Sequence, residues 1–122
     1  MNGPRLPAPG AVHLIPVGLG DAPAERWLPA EVRALAGQLD TYIAENAKTA
    51  RAFLKLIGTQ RPLQEITIHT LDARVDDAQI QGWLEPLLAG GDIGLVSEAG
   101  CPAVADPGAR VVAVAHRLGL AV

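Results

Sequence analysis

Residues 92–108 gather small side chains, two prolines and three carboxylates into one stretch. The apolar residues Ile93, Leu95 and Val96 run into Ser97-Glu98-Ala99-Gly100-Cys101-Pro102-Ala103-Val104-Ala105, and a helix start follows at Asp106-Pro107. Such a segment suits ligand binding: a strand, a tight loop at its carboxyl end, and a helix start facing the ligand. Small residues allow close approach to the backbone. Pro102 and Pro107 fix φ and hold the loop in shape. An ordinary strand-to-helix connection capped by Asp106 accounts for these residues equally well. Glu45 closes a second apolar segment, where a carboxylate could orient a substrate or accept its proton, or be solvated or paired with Lys48. Lys48, Arg51 and Lys55 fall at i, i+3 and i+7 on one helix face, and Arg61 extends the run with no acidic residue between. That stripe reads as a solvated face or as a contact to an anionic substrate such as RNA phosphate.

Other chemistry is poorly supported. Cys101 precedes a helix, which can lower a thiol pKa, but no histidine lies near it in sequence to form a catalytic pair. His13, His69 and His116 do not pair with cysteine or carboxylate at metal-ligand spacing, so no metal is expected. His13 and His69 are expected on strand faces and His116 on a solvated helix. Trp27 and Trp83 read as packing anchors. Gly18-Leu19-Gly20 is a lone G-x-G, and Pro23 occupies the place of the third glycine, which argues against a dinucleotide cradle.

The elements that must position these groups alternate. Strands are expected at 11–17, 42–45, 65–71 and 92–97. Helices are expected from Pro29 through Leu39, over 47–57 with Gly58 as the stop, from Asp76-Asp77 to Gly90-Gly91, and over 110–118 with Gly119 as the stop. This is an α/β fold: an open, mostly parallel sheet of about five strands with helices on both faces. Leu120-Ala121-Val122 sits where a fifth strand would begin. The expected organisation is a disordered leader over 1–10 and an amino-terminal α/β domain over 11–122, belonging to a longer protein.

The chain has 122 residues, 49% hydrophobic and 3% aromatic, so its single core is aliphatic. A net charge of -3 argues against gripping nucleic acid by global charge, though a local basic patch is compatible with it. One cysteine permits no internal disulfide and fits a reducing cytosol, hence a cytoplasmic location. No segment has the length and apolarity of a membrane span.

Ser97-Glu98-Ala99-Gly100-Cys101-Pro102 followed by Ala105-Asp106-Pro107-Gly108 resembles the S-D-A-G-T-P…S-D-P-G signature of the tetrapyrrole (corrin/porphyrin) methylase superfamily. It is most similar to the branch that methylates a cytidine ribose 2′-hydroxyl in small-subunit rRNA. Leu14-Ile15-Pro16-Val17-Gly18-Leu19-Gly20-Asp21 stands where that family carries a V-P-T-P-I-G-N-type loop, and Ile43-Ala44-Glu45-Asn46-Ala47-Lys48-Thr49 where it carries E-D-T-R. Glu98 and Cys101 depart from the Asp and Thr of the third motif, and Asn46, Ala47 and Lys48 from the second. The resemblance implies an S-adenosylmethionine-dependent methyltransferase. Pro16, Val17, Gly18, Ser97, Gly100, Cys101, Pro102, Ala103, Val104 and Ala105 would line the cofactor. The residues themselves, apart from the resemblance, make Glu45 the catalytic candidate and Lys48 and Arg51 the candidate substrate contacts. The resemblance further implies a second domain that completes the site and a homodimer. The acceptor would be rRNA or, alternatively, a tetrapyrrole precursor. A nucleotide-binding or non-catalytic α/β domain is the remaining reading.

Overall fold

The computed structural model describes residues 10–17, 29–98 and 107–122. Among the described residues, four strands, β1 (Val12–Val17), β2 (Thr41–Ala44), β3 (Thr67–Thr70) and β4 (Ile93–Glu98), form one sheet in the order β1-β4-β2-β3. Every pairing is parallel. Among the described residues, four helices accompany them: α1 (Ala30–Gln38), α2 (Ala47–Ile57), α3 (Asp77–Leu84) and α4 (Pro107–Arg117). The expected α/β class and parallel sheet are therefore found, with four strands where about five were expected. At the place of the fifth there is a single parallel bridge, Ala11 to Ala121.

The sheet has two buried faces, which explains its nearly continuous apolar strands. On one face Ile15, Tyr42, Ala44 and Val96 pack with Ala36 and Leu39 near α1 and with Ala50, Phe53, Leu54 and Ile57 of α2. On the other, Val12, Ile43, Ile93 and Leu95 pack with Ile80 and Leu84 of α3 and Val111, Val114 and Ala115 of α4. Successive strand residues thus serve opposite layers, as the two-residue repeat of a strand requires. The helices α1 and α2 cover one face, and α3 and α4 the other.

Local chemistry sets the helix limits. The Asn46 side chain accepts from the backbone N–H groups of Lys48 and Thr49 and so caps α2. Gly58, at φ 74°, ends it. Asp76 and Gln79 form a reciprocal capping box at the start of α3. That helix was expected to reach Gly90. It ends instead at Leu84 and tightens into a 3₁₀ segment, Glu85–Ala89, because Pro86 lacks the N–H that would continue the α ladder. The third strand is shorter than expected, since Leu63–Glu65 forms a 3₁₀ turn after Pro62. The last helix starts at Pro107, ahead of the expected Arg110, as proline is well tolerated in a first turn.

The core is closely fitted at the sheet centre. The Tyr42 hydroxyl donates to the Ala36 carbonyl in the last turn of α1, so an otherwise orphaned helix carbonyl gains a donor. Burial pushes the Tyr42 phenol well above its ordinary pKa. The Tyr42 ring lies over Gly94 of β4, where a Cβ would stand 2.5 Å from Cε1. At the amino end of the sheet, Asp92 accepts from the Ala11 N–H at 2.9 Å and pairs with His13 Nε2 at 3.1 Å. Gly10 belongs to this fold, donating to the Leu87 carbonyl at 2.6 Å; residues 1–9 of the expected leader lie outside the described residues. Asp77 joins α3 to α4, 3.3 Å from both Arg110 and Arg117.

Candidate functional site

Strand β4 lies between β1 and β2, and the helix that follows it packs on the opposite face from the helices that follow its neighbours. Chains leaving neighbouring strands in opposite directions open a crevice at the carboxyl ends, where ligands settle in sheets of this kind. The register gives the crevice its walls. Pro16 pairs with Ser97 and Val17 with Glu98, so the connection after β1 and the connection after β4 depart side by side. On the other flank, Tyr42 pairs with Gly94 and Ile43 with Leu95, and Glu45 follows directly after β2.

Three sequence motifs far apart in the chain are thereby brought to one edge. Pro16 and Val17 end β1, Ser97 lies in β4, and Glu45 is exposed immediately after β2. Lys48 and Arg51 are exposed on α2, which begins at this same edge. Gly18, Gly100, Cys101, Pro102, Ala103, Val104 and Ala105 lie outside the described residues, as do Asp106 and Trp27. Among the described residues, no ion pair involves Glu45 or Lys48. A carboxylate and a helix start carrying a lysine therefore flank the same crevice. The carboxylate can take or steer a proton, and the helix end attracts negative charge.

One role went unread in the sequence. Asn46 fixes where α2 starts, and therefore where Lys48 and Arg51 stand. The signal was present, as an asparagine directly before a helix-period run is a cap pattern. A second feature had no local signal. At the opposite, amino-terminal edge a groove of about 630 Å³ is lined in part by Asp40, Thr41, Thr67, His69, Trp83 and Asp92. His69 of β3 stacks on Trp83 of α3, centroids 4.7 Å apart, so this tryptophan is the packing anchor it was expected to be.

Burial lowers the His69 pKa. The folded state then holds the proton less readily than the unfolded chain. Its stability is complete above the ordinary histidine value of about 6.5 and declines as pH falls through it toward the lower folded value. Thermal unfolding followed from about pH 7 to about pH 5 should show this decline, and His69→Phe should flatten it. Equal slopes for the two proteins would refute the assignment.

Comparison with known proteins adds one relationship. The chain is similar to the ribosomal RNA small subunit methyltransferase I of Xylella fastidiosa (strain Temecula1 / ATCC 700964). The two are 28% identical over 120 residues, covering 96% of this chain and 40% of the relative. The chain thus spans about two fifths of that methyltransferase's length. No family model matches. Among the described residues, no helix is long and apolar enough to cross a membrane.

Proposed function

We propose that this chain is the amino-terminal α/β part of an S-adenosylmethionine-dependent methyltransferase that modifies a ribose 2′-hydroxyl of small-subunit rRNA. The observation that carries the proposal is the similarity to an rRNA small subunit methyltransferase over 96% of the chain. The fold supports it, because the two segments resembling methylase cofactor loops leave from paired positions at the carboxyl ends of β1 and β4. A crevice of that topology fits an extended nucleoside with an amino-acid tail. The rRNA acceptor is preferred over a tetrapyrrole precursor on the strength of that relative and of the exposed cations on α2.

S-adenosylmethionine, when bound, supplies a methyl group already activated on a sulfonium. The chain's share is placement. By the resemblance, Pro16, Val17 and Gly18 on one side and Ser97 with the run from Gly100 to Ala105 on the other would hold the donor and exclude water. Glu45, on the β2 flank, faces the acceptor side and takes up or orients the hydroxyl proton. Lys48 and Arg51 meet the phosphates beside the target ribose. Residues beyond Val122 supply the rest of the site, and the working form is a cytoplasmic homodimer.

The deciding experiment is methyl transfer from labelled donor to small-subunit rRNA, using the longer polypeptide that includes this chain. Label in a ribose 2′-O-methyl group is expected, and Glu45→Gln should reduce the rate about 100-fold, the low end for loss of a general base. Label appearing only in a tetrapyrrole, or nowhere, would overturn the proposal. Calorimetry on the isolated 122-residue chain should give weaker donor binding than the longer polypeptide.

A further inference from the structure

We infer that the outward face of α2 is a track for the phosphodiester backbone of an RNA strand, leading away from the crevice toward the amino-terminal edge of the sheet. The inference rests on the rRNA reading and extends it from the target nucleotide to its neighbours. Four residues of α2, Ala50, Phe53, Leu54 and Ile57, are buried against the sheet. The face turned away from them carries Lys48, Arg51 and Lys55, all exposed. At 1.5 Å of rise per residue, the three cations span about 10 Å along the helix axis. Helix α2 connects two parallel strands, so it runs back against the strand direction. Lys48 therefore stands beside the crevice, and Lys55 lies two turns away from it.

The charge environment favours an anionic strand over a simply solvated face. No acidic residue occurs in the sequence between Glu45 and Glu65. Among the described residues, no ion pair involves Lys48, Arg51 or Lys55. Elsewhere Arg74 pairs with Asp72, and Arg110 and Arg117 both pair with Asp77. The first turn of α2 also lacks an acidic residue, so the partial positive charge of the helix start adds to that of Lys48. Glu45 precedes this end directly in the sequence, on the crevice side of the track. The chain as a whole carries -3, so the remainder of its surface repels RNA and leaves this stripe as the favoured approach.

The test is binding of this chain to a short fluorescein-labelled single-stranded RNA, followed by anisotropy over a salt series. Each phosphate contact with a single strand contributes about 0.7 to the slope of log affinity against log salt. Arg51→Ala combined with Lys55→Ala should make the slope shallower by about 1.4, with unchanged helical circular dichroism because both side chains are exposed. Arg74→Ala removes a charge whose side chain is 93% exposed, on the segment leading into α3, and should leave the slope as it is. An unchanged slope in the α2 variant, or an equal reduction per charge in Arg74→Ala, overturns the track and leaves the rRNA reading standing. Failure of the unaltered chain to bind RNA at low salt overturns the track and counts against the rRNA reading with it.

Discussion

Gly94→Val is expected to lower the thermal midpoint of the domain by roughly 10–15 °C, corresponding to about 3 kcal/mol. Gly94 is buried in the middle of the sheet, between β1 and β2. A Cβ there would stand 2.5 and 2.6 Å from Tyr42 Cε1 and Cδ1, and 3.1 Å from Leu39 Cδ1. The ring cannot swing aside cheaply, because its hydroxyl is held by the Ala36 carbonyl. The added methyl groups must therefore push β4 from β2 or break that bond, and either distorts the strand that centres the crevice. The cause can be isolated. In a Tyr42→Leu background the same glycine substitution should cost at least about 1 kcal/mol less, a coupling typical of residues in contact. Chemical denaturation of the four proteins measures the cycle, and a Gly94→Val protein as stable as the parent would disprove the packing argument.

The second large effect concerns the donor. Gly100→Val in the longer polypeptide should weaken S-adenosylmethionine binding about ten- to a hundredfold, equivalent to 1–3 kcal/mol of overpacking. The thermal midpoint without donor should move little, since the substitution falls in a connection and not in the sheet. The expectation follows from the proposed role of the run after β4, where small side chains admit a ligand to the backbone. Isothermal calorimetry gives the affinity directly. Undiminished binding would remove this connection from the site, and the methyl-donor reading would lose its principal wall.

Much of this fold was readable in the chain. The helix-period face of Ala50, Phe53, Leu54 and Ile57, closed by Gly58, placed α2 at its observed limits. The apolar run Ile93-Gly94-Leu95-Val96 placed β4, because a strand covered on both sides shows no polar alternation. What local pattern could not give was the order of the strands. Nothing in residues 93–98 indicates that β4 separates β1 from β2; that depends on long-range pairing between Val12 and Ile93 and between Tyr42 and Gly94. The stacking of His69 on Trp83 is equally non-local. For the site, the resemblance set Pro16 and Ser97 beside one cofactor, and Glu45 was read from the end of its strand; the register adds that Pro16 stands opposite Ser97. Asn46 was visible only as a departure from a motif, although its physical work is to begin a helix.

The central position of β4 also has a temporal side. Contacts such as that between Ala11 and Asp92 join residues 81 apart in the chain. At 5–20 residues per second, ribosomes need on the order of 4–16 s to make that interval. Until β4 is made, β1 and, once it is synthesised, β2 lack the partner that will lie between them, and their facing edges present unpaired amides and carbonyls. Nascent protein in this window is the species most exposed to aggregation and most in need of a chaperone. The cleft thus cannot form before β4 is made, and any cellular ligand for it meets only chains that have already completed their sheet.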